Sequence, residues 1–398
     1  LPLDEVIAPA IKYANEGFRL LPGEANRQQS VKDELQEFEG TRHHFMINDS
    51  ISYKAGDLFI QNDLAKVLRS IANRGKAGFY EGEIANKIVN DLQSNGSILS
   101  LEDLKNYKAL ESKILSGKYG DKNIYSLFLP SFGAITVQIL QILDHLKLPE
   151  SENEWALQHG RVTEKAYQFR DHQTDTIELK EIISYEKAEQ LANEIFDKQV
   201  KISSVSNEIP ISWTSIDGHT THLTTADKWG NVVALTQTIG PTMGSKVASK
   251  GLGFLYAVTL GGYLGKYKPG DRANSHISPT LIEKNGEILL ALGAAGGSRI
   301  IPAVTQVTDR YFRQNHSLET SLKLPRVYPY NDSLWVENHI GVEKLNASFV
   351  DVNFPLKYVD EIAQFGRVHA IALKGQKWIG CADPDWEGTT EYFPSNEE

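Results

Sequence analysis

Apolar residues recur at helical spacing through the opening of the chain and alternate with polar ones through long stretches of its second half. In "LPLDEVIAPAIKYANEGF", Val6, Ile7, Ala10, Ile11 and Ala14 form one helical stripe, and Gly17 is placed as a C-cap. Leu64, Val67, Leu68 and Ile71 predict a second helix over 62–74. After "GKAGFYEG" a third follows in "EIANKIVNDLQ", and Ser100 with Asp103 reads as a capping box opening a short helix before Tyr107. "GAITVQILQILDHL" is a strongly apolar helix, and "WALQHGRVTEKAYQFRD" is another with a mixed surface. The charged and polar stretch 180–207 is expected to be loop or solvated surface.

Further along, the period shortens to two. Residues 218–238, GHTTHLTTADKWGNVVALTQT, read as a hairpin of β-branched strands turning at Asp227–Asn231. "SPTLIEKNGEILLALGAAGG" is a second hairpin with Asn285-Gly286 as its turn, and "HAIALKGQKWIGCADP" a third, turning at Lys374–Gln376. Helices before and between these hairpins suit an α+β fold in which helices pack on antiparallel sheets.

Composition narrows the function classes. With 398 residues, 41% hydrophobic and 23% charged, the chain can bury a large core as one domain or two. A formal net charge of −10, with no basic block to offset it, argues against a nucleic-acid partner. The single cysteine, Cys381, allows neither an intrachain disulfide nor a cysteine metal site. No apolar run reaches the roughly 18 residues a membrane span needs. The amino terminus has neither the basic nor the apolar region of a signal peptide and no initiator methionine, so the chain is expected to be a processed or truncated product.

The chemistry concentrates where Thr220 and Thr221 sit between His219 and His222. One reading is a plain edge strand, since threonine favours strands. A zinc site is poorly supported: on a strand the two histidines point to opposite faces, and no acidic or cysteine ligand accompanies them. The third reading is a nucleophile made by chain cleavage. Cutting before Thr220 would release an α-amino group of pKa about 7.7–8.0, a built-in base near working pH. Such a site needs a second hydroxyl to orient the amine, for which Thr238 on the return strand is placed. It also needs backbone donors for an oxyanion, for which Gly296-Gly297 at the end of an apolar strand are placed.

The run TTHLTTAD with GN and ALTQT resembles the head of the small subunit of γ-glutamyltranspeptidases, which are N-terminal nucleophile hydrolases. "GFYEGEIANKIV", "LSLEDLKNYKALES", "LPSFGAITVQILQIL", "DRANSHISPT", "GAAGGSRI", "LPRVY" and "ADPDWEG" resemble further landmarks of that family, in its order, so the likeness spans 1–388. The resemblance implies an αββα sandwich. It implies a large-subunit-like segment 1–219, shortened at its amino terminus, and a small-subunit-like segment 220–398, together one domain that associates as a heterodimer after cleavage. By the same resemblance the cleaved bond is His219–Thr220, Thr220 is the nucleophile, Thr238 holds its amine, and Gly296 and Gly297 form the oxyanion hole. Ser275 matches the first of two serines that hold the substrate carboxylate. The implied substrate is a γ-glutamyl compound such as glutathione, with no cofactor and no metal. Relatives in bacteria are commonly exported, which suggests a periplasmic or extracellular compartment.

The departures bear on specificity. Gly240 stands where the family usually has an asparagine, Gly262 in "AVTLGGY" where it has the aspartate that binds the substrate amine, and His276 where it has the second serine. The family's amino-terminal segment, with its carboxylate-clamping arginine, has no counterpart in this sequence. Two alternatives therefore stand beside the γ-glutamyl reading: an amidohydrolase or acylase with another acyl group, and a non-catalytic relative kept as a binding protein.

Overall fold

The computed structural model describes residues 1–170, 176–195, 218–259, 267–331, 333–338, 355–360, 365–385 and 387–393. They form two compact units, one of residues 1–111 with 239–258, the other of 112–238 with 259–398.

The first unit is mostly helical, as its periodicity predicts. The helix Leu3–Glu16 stops at Gly17, whose φ of 82° a Cβ would disfavour and whose N–H closes the turn on the Tyr13 carbonyl. Helices Asn62–Arg74 and Gly82–Ser94 follow, and Ser100 and Asp103 exchange both bonds of a capping box at the head of Leu101–Asn106. Its cores gather Leu20, Leu35, Phe45, Phe59 and Met243, and separately Val67, Ile84, Ile88 and Leu252.

The second unit carries the sheet. Six strands run in the order Lys377–Cys381, Arg367–Lys374, Glu287–Ala295, Thr280–Lys284, Lys122–Leu127, Ile114–Tyr119, every neighbour antiparallel. The Asn285-Gly286 turn has φ of 55° and 87°, the doubly positive pair that suits a tight hairpin. Strand alternation sorts the central strand: Leu290, Leu292 and Ala294 join Val368, Ala370 and Ala372 in the main core, under the helix Ile300–Phe312. Ala291, Gly293 and Ala295 face the other way. Against that face lies the hairpin Gly218–Ala226 and Val232–Pro241, a separate two-stranded sheet whose first strand packs on Glu287–Ala295 and Arg367–Lys374. Helices on one sheet and a second sheet stacked on its far face match the expected class.

Two expectations change. The hairpin Ile114–Tyr119/Lys122–Leu127 supplies two of the six strands from a half that reads as mostly helical. Within 180–207, Tyr185–Ile195 is a helix burying Ala188, Leu191, Ala192 and Ile195 against Gly133–His145, so that part is core rather than solvated loop. Its apolar residues follow helical spacing beneath a charged face, and the charges mask it by composition. Residues 196–207 lie outside the described residues. No helix among those described is long and apolar enough to cross a membrane.

Candidate active site

Of the two opening threonines, the first sits on the inner face of the hairpin. Thr220 is buried while Thr221 is exposed, as alternation requires. The Thr220 hydroxyl donates to Thr238 Oγ1 across the hairpin at 3.2 Å, which brings together the two residues expected to act as a pair. His219 lies in the same strand, and its side chain is outside the described residues.

The central strand ends at Ala295 and gives way to Gly296 (φ 136°), then to the short 3₁₀ turn Gly297–Arg299, which Gly297 (φ 58°) opens, and to the helix Ile300–Phe312. Both glycines therefore hold backbone angles that a side chain disfavours, the condition for amides turned out of the sheet ladder. The loop is braced: Tyr167 donates its hydroxyl to the Ser298 carbonyl at 2.5 Å, Ser298 Oγ and Tyr328 share a bond of 3.0 Å, and the Arg299 guanidinium lies 5.3 Å from the Tyr328 ring centroid.

Ser275 forms an isolated parallel bridge with Ser131, and His276 follows it. Ser275 Oγ accepts the Ile277 N–H at 3.3 Å, so its hydroxyl is turned to its own backbone. His276 is buried and stacked on Phe132 at 5.2 Å. Burial, helped by the nearby Arg170 and Arg299 charges, pushes its imidazole well below the usual histidine range, so the ring is neutral. Gly240 lies in the 239–258 segment that counts with the first unit. Its φ is 103°, and a Cβ there would stand 2.6 Å from the Val258 carbonyl oxygen. Gly262 lies outside the described residues.

The spacing rules point past some residues that matter here. His222, weighed only as a metal ligand, faces inward beside Thr220 and bonds Thr236 Oγ1 through Nδ1 at 2.7 Å. Arg326 of "LPRVY" and Asp383 of "ADPDWEG" meet as a buried pair at 2.6 Å, and Asp383 also accepts the Val368 N–H at 3.0 Å. Arg367, paired opposite Ala295, bonds Glu337 at 2.7 Å. These ions fix the strand end next to the glycine pair. The signal was present in the motifs, but only the tertiary contacts reveal which residues it joins. Among the described residues one grouping, His43, His44 and Asp63, brings metal-type ligand atoms within 4.8 Å of one another. Lys66 already pairs with Asp63 at 2.7 Å, and His44 Nε2 meets the Gly251 N–H and the Ser249 carbonyl at 3.2 Å, so no metal is assigned.

Comparison with known proteins gives the chain's family and the likeness of its fold. The γ-glutamyltranspeptidase family model matches residues 1–393. The glutathione hydrolase proenzyme of Escherichia coli K12 is 30% identical over 371 residues, covering 86% of this chain and 63% of that protein. The capsule biosynthesis protein CapD proenzyme of Bacillus anthracis is 27% identical over 356 residues, covering 87% and 63%. The chain thus spans a little under two thirds of the length of these relatives. The crystal structure of a cephalosporin acylase from Bacillus halodurans superposes with a TM-score of 0.80 at 20% identity, covering 98% of this chain and 75% of the other, a likeness of fold.

Proposed function

This chain belongs to the γ-glutamyltranspeptidase family, and from that premise we propose that it cuts itself before Thr220 and then acts as a threonine amidase or acyltransferase on a γ-glutamyl or related amide. The observation that carries the reading is the hydroxyl pair of buried Thr220 and half-buried Thr238, on the hairpin whose first strand packs over the strand that leads into Gly296-Gly297.

In maturation, Thr220 Oγ attacks the His219 carbonyl carbon, the C–N bond breaks, and the acyl group moves to oxygen as an ester. Water hydrolyses the ester and leaves Thr220 with a free α-amine. That amine then takes the hydroxyl proton as Thr220 attacks the substrate amide, and returns it to the leaving amine. Thr238 orients the amine. The amides of Gly296 and Gly297 hold the tetrahedral oxyanion, a role worth roughly a hundred- to a thousandfold per donor. Water or an acceptor amine resolves the acyl-enzyme. The two segments stay together after the cut, since Lys122–Leu127 from one pairs with Thr280–Lys284 from the other.

A second reading, an acyl group other than γ-glutamyl, has its own support. The family's second serine is replaced by a neutral imidazole packed on Phe132, and at 240 the backbone leaves no room for an asparagine. Intact-mass measurement tests the common core. Wild type should give a smaller fragment beginning Thr-Thr-His-Leu, and Thr220→Ala should stay whole. A wild type that remains one chain after long incubation leaves the binding-protein alternative. A panel of amides with and without an α-amino group separates the two enzymatic readings, and slow turnover of a γ-glutamyl anilide is the outcome expected.

A further inference from the structure

We propose that His222 is a positioning residue for this reaction: its ring pegs the nucleophile-bearing hairpin into a slot over Gly293, and so sets where Thr220 stands relative to Gly296 and Gly297. The proposal rests on the functional reading above and adds to it the part that holds the two halves of the site in register.

The slot follows from strand alternation. On the hairpin, Thr220 and His222 point inward from one strand, and Thr238 and Thr236 meet them from the other, giving two successive cross-strand pairs. On the sheet beneath, Ala291, Gly293 and Ala295 share the face turned toward the hairpin. A Cβ built on Gly293 would collide with the His222 imidazole, 2.4 Å from Cε1 and Nδ1 and 2.9 Å from Cγ. Gly293 does not adopt the left-handed backbone of Gly296 and Gly297, so space rather than conformation demands a glycine at this position. The neighbouring wall is His369, which pairs directly with Gly293 on the next strand.

Three features make the ring a fixed peg. It is 5% exposed. Its Nδ1 bond to Thr236 at 2.7 Å sets the ring rotation and ties both strands of the hairpin to the same point. Its Nε2 is buried without a hydrogen-bond partner among the described residues, so the ring serves no polar network beyond that one bond. Burial, with the His369 imidazole beside it, pushes this imidazole down to about 3, so it is neutral wherever the Thr220 amine would work. An imidazole this hard to protonate is a poor base near neutral pH, so what its packing contributes is position.

The lever is short. His222 is two residues from Thr220, roughly 7 Å along a strand, and Gly293 is three residues from Gly296, roughly 10 Å. A displacement of about 1 Å at a reacting atom can cost about a hundredfold in rate.

The test is a double-mutant cycle in the full chain with His222→Ala, Gly293→Ala and both together, each followed by intact mass, circular dichroism, kcat, KM and a pH–rate profile. Each single change is expected to lower kcat ~10- to 100-fold with KM within about twofold. The double variant should be no slower than His222→Ala, because the added methyl enters space the ring has left. His222→Asn, which keeps a polar atom near the Nδ1 position, should recover part of the lost rate. The ascending limb of the pH profile should stay in place in every variant, since it belongs to the Thr220 amine; its loss in His222→Ala would make His222 a general base and overturn the positioning role. Additive losses in the cycle, or a fall in affinity alone, would overturn it too while leaving the functional reading intact. Should His222→Ala fail to fold, Gly293→Ala and His222→Asn carry the same comparison. A wild type that neither cuts nor turns over any amide overturns the functional reading and this role together.

Discussion

At the scale of single residues, the glycine pair separates two costs that are usually confounded. Gly297 sits at φ 58°, close to the left-handed helical region, with open space where a Cβ would go. Gly296 sits at φ 136°, and its Cβ would stand 2.8 Å from the Gly366 Cα. Gly297→Ala therefore meets conformational strain alone, on the order of 1–2 kcal/mol, whereas Gly296→Ala adds a backbone collision that can be relieved only by moving the loop. Thermal unfolding should show the larger loss for Gly296→Ala. If the two amides hold the oxyanion as proposed, turnover should fall in both, by more in Gly296→Ala, because losing one such donor costs about a hundredfold or more. Equal and near-wild-type turnover in the two variants would place the developing charge elsewhere.

At the scale of elements, the return strand of the hairpin illustrates how a sequence substitution can be irreversible by simple reversion. Gly240→Asn would restore the family's usual side chain, but the strand passes so close to the Val258 carbonyl, with the Val258 N–H bonded to Ile239 O at 2.9 Å, that any Cβ collides. Gly240→Asn by itself is expected to lower the melting temperature by several degrees, as a loss of about 1–3 kcal/mol does, and to leave KM for a γ-glutamyl anilide unimproved. An improved KM with unchanged melting would show that the 239–258 segment yields easily. The central strand behaves the opposite way: its small residues face the hairpin and its large ones the helices, so substitution there reads directly as sheet-to-sheet spacing.

At the scale of the whole molecule, buried ionic and imidazole groups set the acid limit. Asp309 accepts from Trp155 Nε1 and His159 Nε2, each at 3.1 Å, and from Arg313 at 2.6 Å. Burial opposes its charge, but His159 and the Arg313 guanidinium hold the carboxyl at about 2. Its folded value lies below its unfolded value of 3.8, so its contribution is complete above pH 3.8 and is lost as pH falls toward 2. His159, His222, His276 and His369 are all lowered by burial. The unfolded chain therefore takes protons from about pH 6.5 downward that the folded chain resists, most strongly at His222 and His276, whose pKa values are lowered furthest. Stability is expected to be flat above pH 7 and to fall steeply below 6.5, measured as the denaturant midpoint across pH 4–8. A midpoint constant down to pH 5 would contradict the neutral-histidine assignment. Asp383→Asn, which leaves the buried Arg326 and Arg367 short of an anion, should cost about 3–5 kcal/mol and be read in the same unfolding experiment.

The helices, the three hairpins and the Thr220–Thr238 pair were legible in the chain because each depends on local rules: apolar spacing, turn residues and strand alternation act within a few positions. The glycine pair was legible as a type of residue at a strand end, and the structure adds that both φ angles are positive. What the sequence left open depends on distance across the fold. The strands at 114–127 have a turn and alternation of their own, but they are committed to the sheet only by pairing with Thr280–Lys284. The helix Tyr185–Ile195 hides its apolar face among charges until Gly133–His145 covers it. His222 and Gly293 lie 71 positions apart, and no local pattern relates an imidazole on one strand to a missing side chain on another. That relation is a matter of volume, and volume is shared only once two sheets are stacked.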